Sequence, residues 1–183
     1  MIPTNFDILP KNEELNKIPV LLASTDAYDL WFKKDDTFDR PKSYVSLKIY
    51  TQDCNLGLAP EARVFVNIWA HMQNEFLREF NYMANCANLN LDVQPMYDSF
   101  NLVWSGFNHT MPTYIEESIT QLQKMRQEVE SEEAQSQKDM EEIFDHVKEK
   151  LLGDWKNLYY EQSYQQAFAL FENLCINAAV EQH

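Results

Sequence analysis

Apolar and polar side chains alternate along two early segments of the chain. Residues 28 to 33 read Tyr-Asp-Leu-Trp-Phe-Lys, and within residues 44 to 50 the apolar Val45, Leu47 and Ile49 alternate with polar neighbours. A period of two places successive side chains on opposite faces of a strand. Both segments are therefore predicted to be strands.

A helical spacing follows these strands, from about Pro60 to Ala87. Apolar residues recur there at steps of one, three or four, which is the spacing of a buried helix face, and Pro60 suits a first helical turn. The positions are Phe65, Ile68, Trp69, Met72, Phe76, Phe80 and Met83. One long helix is predicted here.

The period of two then returns. Leu89, Leu91 and Val93 alternate with polar residues, Pro95 interrupts them, and the alternation resumes over residues 97 to 107. Two short alternating runs separated by a break are typical of an antiparallel hairpin.

The last third of the chain is predicted to be helical. Ile115, Ile119, Leu122 and Met125 have helical spacing, and two later stripes continue it. The first stripe is Met140, Ile143, Phe144, Val147 and Leu151, ending near Gly153, and the second is Tyr164, Ala167, Phe168, Phe171, Leu174 and Cys175. The acid-rich residues 127 to 145 follow Met125 and overlap the start of the first stripe, and they are predicted to be a solvated connection or helix face.

This order of elements predicts an α+β protein, a layered fold in which a mainly antiparallel sheet packs against long helices. Residues 1 to 26 carry Pro3, Pro10 and Pro19 and are predicted to be an extended lead-in of the interdomain-linker type. Residues 27 to 183 are predicted to form a single domain.

Charge narrows the classes of partner. The 183 residues carry 15 Lys and Arg against 29 Asp and Glu, a formal net charge of −14. Nucleic-acid binding needs clustered basic residues, and anionic lipid surfaces repel acidic proteins, so neither partner is expected. With no signal-like N-terminus and 3 widely spaced cysteines, we expect a cytoplasmic chain with reduced, partly buried thiols.

The residues with metal-binding or catalytic chemistry form no recognisable motif. A zinc hydrolase needs two histidines on one helical face beside a carboxylate, and none of His71, His109, His146 and His183 has such a partner. His71 and Glu75 are predicted to form an ordinary polar pair on the helix surface, and His146 is interpreted in the same way. We therefore assign no catalytic, metal-binding or cofactor-binding residue.

Large aromatic residues allow two interpretations. They could line a peptide groove, but aromatic residues at helix and strand spacing are more often core, and core is the prediction here. The residues are Trp31, Phe32, Trp69, Phe76, Phe80, Trp104 and Phe107.

Several blocks resemble one family. Residues 2 to 9 read Ile-Pro-Thr-Asn-Phe-Asp-Ile-Leu, and residues 30 to 36 read Leu-Trp-Phe-Lys-Lys-Asp-Asp, with Phe38 and Pro41-Lys42 after them. The first block resembles the entry into the middle domain of insulysin-type (insulin-degrading-enzyme-like) zinc metalloproteases of the pitrilysin-type peptidase family. The second is similar to that family's Leu-Trp-Phe-Lys-x-Asp-Asp stretch and to the Pro-Lys that precedes its next strand. Further matches are Leu77, Glu79, Phe80, Tyr82, Ala84, Ala87 and Leu89, and then Gly106-Phe107-Asn108 and Pro112. The resemblance covers roughly residues 2 to 126.

The resemblance implies the third, noncatalytic unit of such an enzyme, truncated at its C-terminus. It implies that zinc is bound by the catalytic domain of the parent enzyme and not by this chain. It also implies that the chain helps to enclose peptide substrates and contacts other domains or a partner chain of the peptidase. The alternative is a stand-alone acidic interaction module that kept the scaffold without peptidase activity, which the acidic residues 127 to 145 favour.

Overall fold

The structure, a computed structural model, describes residues 3–8, 18–35, 40–51, 60–96, 99–157, 160, 162–168 and 170–171. The strands are β1 (Val20–Ser24), β2 (Asp29–Phe32), β3 (Lys42–Tyr50), β4 (Asn90–Pro95) and β5 (Ser99–Phe107). The helices are α1 (Pro60–Phe76), α2 (Arg78–Asn85), α3 (Met111–Glu130) and α4 (Ala134–Asn157), with a 3-10 turn over Asn108–Thr110.

Strand β5 is the centre of a three-stranded antiparallel sheet with the order β3-β5-β4. Leu102 of β5 lies opposite Leu47 of β3 on one side and opposite Val93 of β4 on the other. Both registers run without a bulge, so the side-chain alternation of all three strands stays in phase. Strands β1 and β2 form a separate antiparallel pair.

The core lies between this sheet and the helices. Leu91 and Val93 of β4 and Trp104 of β5 are buried against Ala70 of α1 and Tyr114 of α3. Leu102 is buried in the same cluster, as residues of one strand spaced by two must be when they share a face. The prediction of an α+β fold, with a mainly antiparallel sheet packed against long helices, is confirmed.

Most predicted elements are present, with shifted boundaries. The strands over residues 28 to 33 and 44 to 50 and the hairpin of β4 and β5 are confirmed, although Pro95 belongs to β4 instead of interrupting it. The predicted lead-in contains β1, which pairs with β2. The domain boundary near residue 26 stays a prediction. Helix α4 continues past Gly153 to Asn157, and residues 163–168 are also helical. Leu174 and Cys175 of the last stripe lie outside the described residues.

The single helix predicted over residues 60 to 87 is wrong, because the chain forms two helices that meet at Leu77. The Leu77 amide still donates to the Gln73 carbonyl at 3.0 Å, and the Asn81 amide donates to the Leu77 carbonyl at 2.8 Å. The backbone therefore bends at the junction without losing these bonds, and the Leu77 side chain is buried in the core.

The prediction that all the large aromatic residues are core is only partly right. Trp104 is buried, and Phe76 and Phe80 pack against the core. Trp31, Phe32 and Trp69, however, are 59%, 44% and 41% exposed. Periodicity identifies the apolar face of an element but not whether another element covers that face, which is why the pattern misplaced these residues.

The acid-rich segment is part helix and part connection, as its two interpretations allowed. Helix α3 ends at Glu130, Ser131 takes an extended conformation, and α4 begins at Ala134. The Ser131 hydroxyl accepts the Glu133 amide at 3.2 Å, which supports the turn into α4. Among the cysteines, Cys86 is exposed instead of partly buried, and Cys54 and Cys175 lie outside the described residues.

None of the described helices combines the length and the apolar composition that a bilayer crossing needs.

The close approach of β5 to the loop before β4 requires a glycine. Gly106 has φ of +152°, and a Cβ added there would lie 2.6 Å from the Asn88 carbonyl oxygen and 2.7 Å from Leu89 Cδ2. The first of these contacts is with backbone, which cannot rotate away. Gly153 is the opposite case, since an added Cβ would meet nothing within 4 Å.

We therefore predict opposite effects for the same substitution at these glycines. Gly106→Ala should lower the free energy of unfolding by about 2 kcal/mol or more, since it adds a clash to backbone strain. Gly153→Ala should raise it by about 0.5 to 1 kcal/mol, because alanine favours a helix interior. Urea unfolding followed by circular dichroism measures both values, and equal effects of the substitutions would contradict this reading of β5.

Candidate functional site

The polar face of α1 carries residue types that could act in catalysis or bind a metal, and His71 is the first of them. His71 is half-buried. Burial lowers the pKa of its imidazole, the positive charge of Lys150 on α4 lowers it further, and Asp154 on α4 and Asp92 on β4 oppose the shift. Burial and the charge of Lys150 together favour the neutral imidazole.

Glu75 binds a different partner from the predicted one. Its carboxylate forms a salt bridge of 2.8 Å with the Arg78 guanidinium at the start of α2. The predicted pair of His71 and Glu75 is thus replaced by an ion pair across the junction of the two helices. Of the other histidines, His109 and His146 are exposed, and His183 lies outside the described residues.

The residues near His71 do not fit a zinc site. Zinc needs three or four His, Cys, Asp or Glu ligands around one point. Within the described ranges, no three such side chains are grouped closely enough to hold a metal ion. In addition, the positive charge of Lys150 acts on His71, and it would repel a metal ion bound there.

Asn74 gives the polar face of α1 a structural role. Its side-chain amide donates to the Val93 carbonyl at 2.8 Å, and its side-chain oxygen accepts the Val93 amide at 3.0 Å. Asn81 of α2 donates to the Leu91 carbonyl at 3.1 Å. These bonds satisfy backbone groups of β4 that point away from β5, at the edge where another strand could otherwise pair.

The network extends to α3 through Tyr114. Its hydroxyl donates to Asn81 Oδ1 at 3.2 Å, its ring stacks on Phe80 with centroids 5.6 Å apart, and burial raises its pKa. In the same layer, the Trp104 indole N–H donates to the Ser118 hydroxyl at 2.8 Å. The tyrosine therefore stays a neutral hydrogen-bond donor and is a structural residue instead of a proton-transfer group.

A cavity of about 900 Å³ opens beside α2. It is lined by Phe80, Met83, Ala84, Leu89 and Tyr114, together with Arg78, Glu79 and Tyr82. A smaller groove of about 240 Å³ lies between α1 and α4. Both concavities are mostly apolar, so they can accept apolar side chains.

Sequence reasoning missed the residues that this site uses most. Asn74 and Asn81 are seven positions apart, so two helical turns place them toward the same side, facing β4. Asparagine at such a spacing beside apolar core positions is a usable signal of a polar contact to a neighbouring strand. Only the structure identifies that neighbour as the edge of β4.

Comparison with known proteins gives a family. A family model described as the middle or third domain of peptidase M16 matches residues 1–183. The chain is 30% identical over 178 residues to the A-factor-processing enzyme of Saccharomyces cerevisiae, and the alignment covers 96% of this chain and 16% of that protein. It is 27% identical over 173 residues to the insulin-degrading enzyme of Homo sapiens, with 91% of this chain and 15% of that protein covered.

A solved structure supports the fold. The crystal structure of pitrilysin superposes with a TM-score of 0.69 over 92% of this chain and 16% of that chain, at 14% sequence identity. At this identity the match shows the fold alone. The chain therefore spans about one-sixth of the length of each of these three proteins.

The Asn74 contacts predict a measurable contribution to stability. Asn74→Asp keeps the shape but loses the donor to the Val93 carbonyl, and Asn74→Ala loses both bonds. Each variant should lower the free energy of unfolding by about 1 to 3 kcal/mol, since partly buried backbone groups lose their partner. Gln123→Ala, at an exposed position of α3, is the control and should change it by less than about 0.5 kcal/mol. Stabilities within error of the control would show that the β4 edge does not depend on Asn74.

The surroundings of His71 predict a pH dependence. Its pKa is lower in the folded chain than its ordinary 6.5, so the contribution of the neutral imidazole is fully present above pH 6.5 and is lost as the pH falls toward the folded value. The loss in melting temperature between pH 7.5 and 5.5 should therefore be smaller in His71→Gln than in the unchanged chain. His109→Gln, at an exposed position, is the control and should keep the original difference. A pH response of His71→Gln equal to that of this control would contradict the assignment.

Proposed function

The chain belongs to the family of middle or third domains of M16 peptidases, and from this membership we propose that it is a noncatalytic domain of an insulysin-like zinc metalloendopeptidase. In this role it helps to enclose and bind peptide substrates while another domain cuts them. The observation that carries the proposal is the match of the family model along residues 1–183.

The arrangement on α1 supports the noncatalytic part of the proposal. Burial and the charge of Lys150 favour the neutral form of His71, Asn74 binds the backbone of Val93, and Glu75 binds Arg78. Asn74 thus holds α1 against β4, and the Glu75 carboxylate is engaged with the start of α2. Zinc and the hydrolytic groups are assigned to a separate catalytic domain of the parent enzyme.

The exposed apolar surface supports the enclosing part. Trp31, Trp69 and Met83 are exposed, and the apolar cavity beside α2 is open. Apolar surface of this kind marks contact with peptides or with neighbouring domains. Enclosing a peptide reduces its orientational freedom before the chemical step, which aids catalysis without supplying a reactive group. We propose that its partners are other domains or a partner chain of the peptidase. We also propose that the protein works in the cytoplasm.

A second candidate function is a stand-alone interaction module. The acidic residues from 127 to 145 lie on solvent-exposed parts of α3 and α4 and on the connection between them, and the chain carries a formal net charge of −14. Such a surface would attract a basic partner by long-range electrostatics. The module would need neither a zinc domain nor a peptide substrate.

A peptidase assay on a quenched fluorogenic peptide tests the proposal. The assay is run with the chain alone, with added zinc, and with a separately supplied zinc-bearing half of an insulysin-type enzyme. The chain alone should be inert and contain far less than one zinc per chain, and it should raise the activity of the zinc-bearing half. Gly106→Ala, destabilised at β5, controls for carrier effects and should raise that activity much less.

Other results have definite meanings. Chelator-sensitive cleavage by the chain alone would overturn the noncatalytic role and return His71 to consideration as a ligand. Inertness together with no effect on the zinc-bearing half would contradict enclosure and favour the interaction module.

A further inference from the structure

The lead-in before β1 contacts the outer face of the three-stranded sheet, the face turned away from the helices. Leu102 and Trp104 of β5 face the helices, so Phe107, at an odd position of the same strand, lies on the outer face. The Phe6 ring packs edge-to-face against the Phe107 ring, with centroids 5.2 Å apart and planes at 86°. The lead-in is thus joined through one residue to the end of the central strand.

Phe107 is held in place by its own neighbours. Lys42 lies opposite it in the register of β3 and β5, and the Lys42 ammonium lies 5.3 Å from the centroid of the Phe107 ring. This distance is within the range of a cation–π contact. The Asn108 amide donates to the Pro41 carbonyl at 3.0 Å, which extends the ladder by one pair beyond these two residues. The Phe107–Lys42 pair is therefore a fixed seat for the Phe6 ring.

A local turn shapes the lead-in around Phe6. The Asp7 amide donates to the Asn5 side-chain oxygen at 2.7 Å, so this bond spans Phe6. A side chain that bonds the backbone two residues further on forms an Asx turn, which takes the place of a backbone turn. Pro3 adds rigidity, because its ring fixes φ. Both features reduce the conformational entropy that the lead-in loses when it packs on the sheet.

The contact between the lead-in and the sheet is weak. Residues 4–8 are exposed, and Phe6 itself is 53% exposed despite its contact with Phe107. An edge-to-face pair of aromatic rings shifts an equilibrium by about two- to tenfold beyond the effect of its buried area. Ordering the backbone of one or two residues costs a comparable amount of free energy. The gain from packing and the cost of ordering are therefore of similar size.

We propose that residues 3–8 form a strap that docks reversibly on the outer face of the sheet, with Phe6 as its anchor and the Phe107–Lys42 pair as its seat. When the strap is docked, it is part of this domain and fixes where the lead-in lies on the sheet. When it is released, it is a flexible tether. The exchange between these states sets how freely the domain turns about its lead-in. The inference goes beyond the proposed function and stands whether or not the domain encloses peptides.

Proton NMR of the Phe107 ring in the complete 183-residue chain tests the docking. The ring current of Phe6 shifts the Phe107 signals only while the strap is docked, so Phe6→Leu gives their released positions. Asn5→Ala removes the Asx turn but keeps both rings, and it should lower the docking equilibrium constant by about two- to tenfold. The Phe107 signals should therefore move toward the released positions. Asn5→Asp keeps the acceptor and should restore them, and Thr4→Ala, at an exposed position of the strap, is the control and should not move them.

The same signals report whether docking is reversible. Heating the unchanged chain should move the Phe107 signals toward the Phe6→Leu positions well below the unfolding transition, because the released strap has the higher conformational entropy. The signals of Trp104, which is buried in the core, should stay in place over this range. Phe107 signals that stay fixed until those of Trp104 change would show a permanently packed lead-in and would overturn the reversible strap.

A double-mutant cycle measures the contact between the two rings. Phe6→Leu and Phe107→Leu each remove one ring and keep an apolar side chain, and each should raise the equilibrium constant for urea unfolding. Their combined effect should be about two- to fivefold smaller than the product of the single effects, since the first substitution already removes the partner of the second. Ile8→Ala, at an exposed position of the strap, is the control and should couple to Phe107→Leu by less than about twofold.

Further results would also contradict the strap. Equal Phe107 signals in the unchanged chain and in Phe6→Leu, or independent effects of Phe6→Leu and Phe107→Leu on unfolding, would each overturn the inference. Circular dichroism checks that the compared variants are folded. If Phe107→Leu fails to fold, the Asn5 variants still decide the question, because Asn5 lies outside the sheet. None of these measurements uses peptidase activity, so failure of the strap leaves the proposed function to its own assay.

Discussion

The hydrogen-bond alternation of β5 is the constraint on which the sheet and its surroundings depend. Every second residue of this central strand bonds to β3 and the residues between them bond to β4, with unbroken register on both sides. That phase decides that Leu102 and Trp104 face the helices, and it decides which backbone groups of the outer strands are left over. Gly106 extends the constraint, since only a residue without Cβ lets β5 pass Asn88 and Leu89.

The helices respond to the backbone groups that the sheet leaves over. Asn74 and Asn81 bind the outward groups of β4, and Tyr114 connects Asn81 to α3. The Trp104 indole and the Ser118 hydroxyl join β5 to α3 in the same buried layer. Asn74 and Asn81 are therefore part of the hydrogen bonding that fixes α1 and α2 on the sheet.

Local patterns in the sequence were sufficient for most elements of the fold. Alternation identified β2, β3 and the hairpin of β4 and β5, and helical spacing identified α3 and α4, because these patterns record which side of an element is buried. The bend at Leu77 was not predictable, since the hydrophobic spacing continues through it and the Gln73 carbonyl still accepts the Leu77 amide. Strand β1 was hidden in a proline-rich segment, and its pairing with β2 depends on a contact that no local pattern states.

The candidate site was less predictable than the fold. His71 stood out because of its chemistry, yet its surroundings come from Lys150, Asp154 and Asp92, which lie far away in sequence. Asn74 shows no unusual feature in sequence, and its role exists only because β4 ends the sheet beside α1. The exposure of Trp31 and Trp69 was missed for the same reason, since burial is a property of what packs against a face and not of the face itself.

Amide hydrogen exchange would test most directly whether the helices bind the backbone groups that the sheet leaves over. The Val93 amide is bound by the side chain of Asn74. The structure predicts slow exchange at Val93 in the unchanged chain and much faster exchange in Asn74→Ala, under conditions where the core amides of β5 stay protected in both. Equal exchange at Val93 in the two chains would contradict this account of how α1 is held on the sheet.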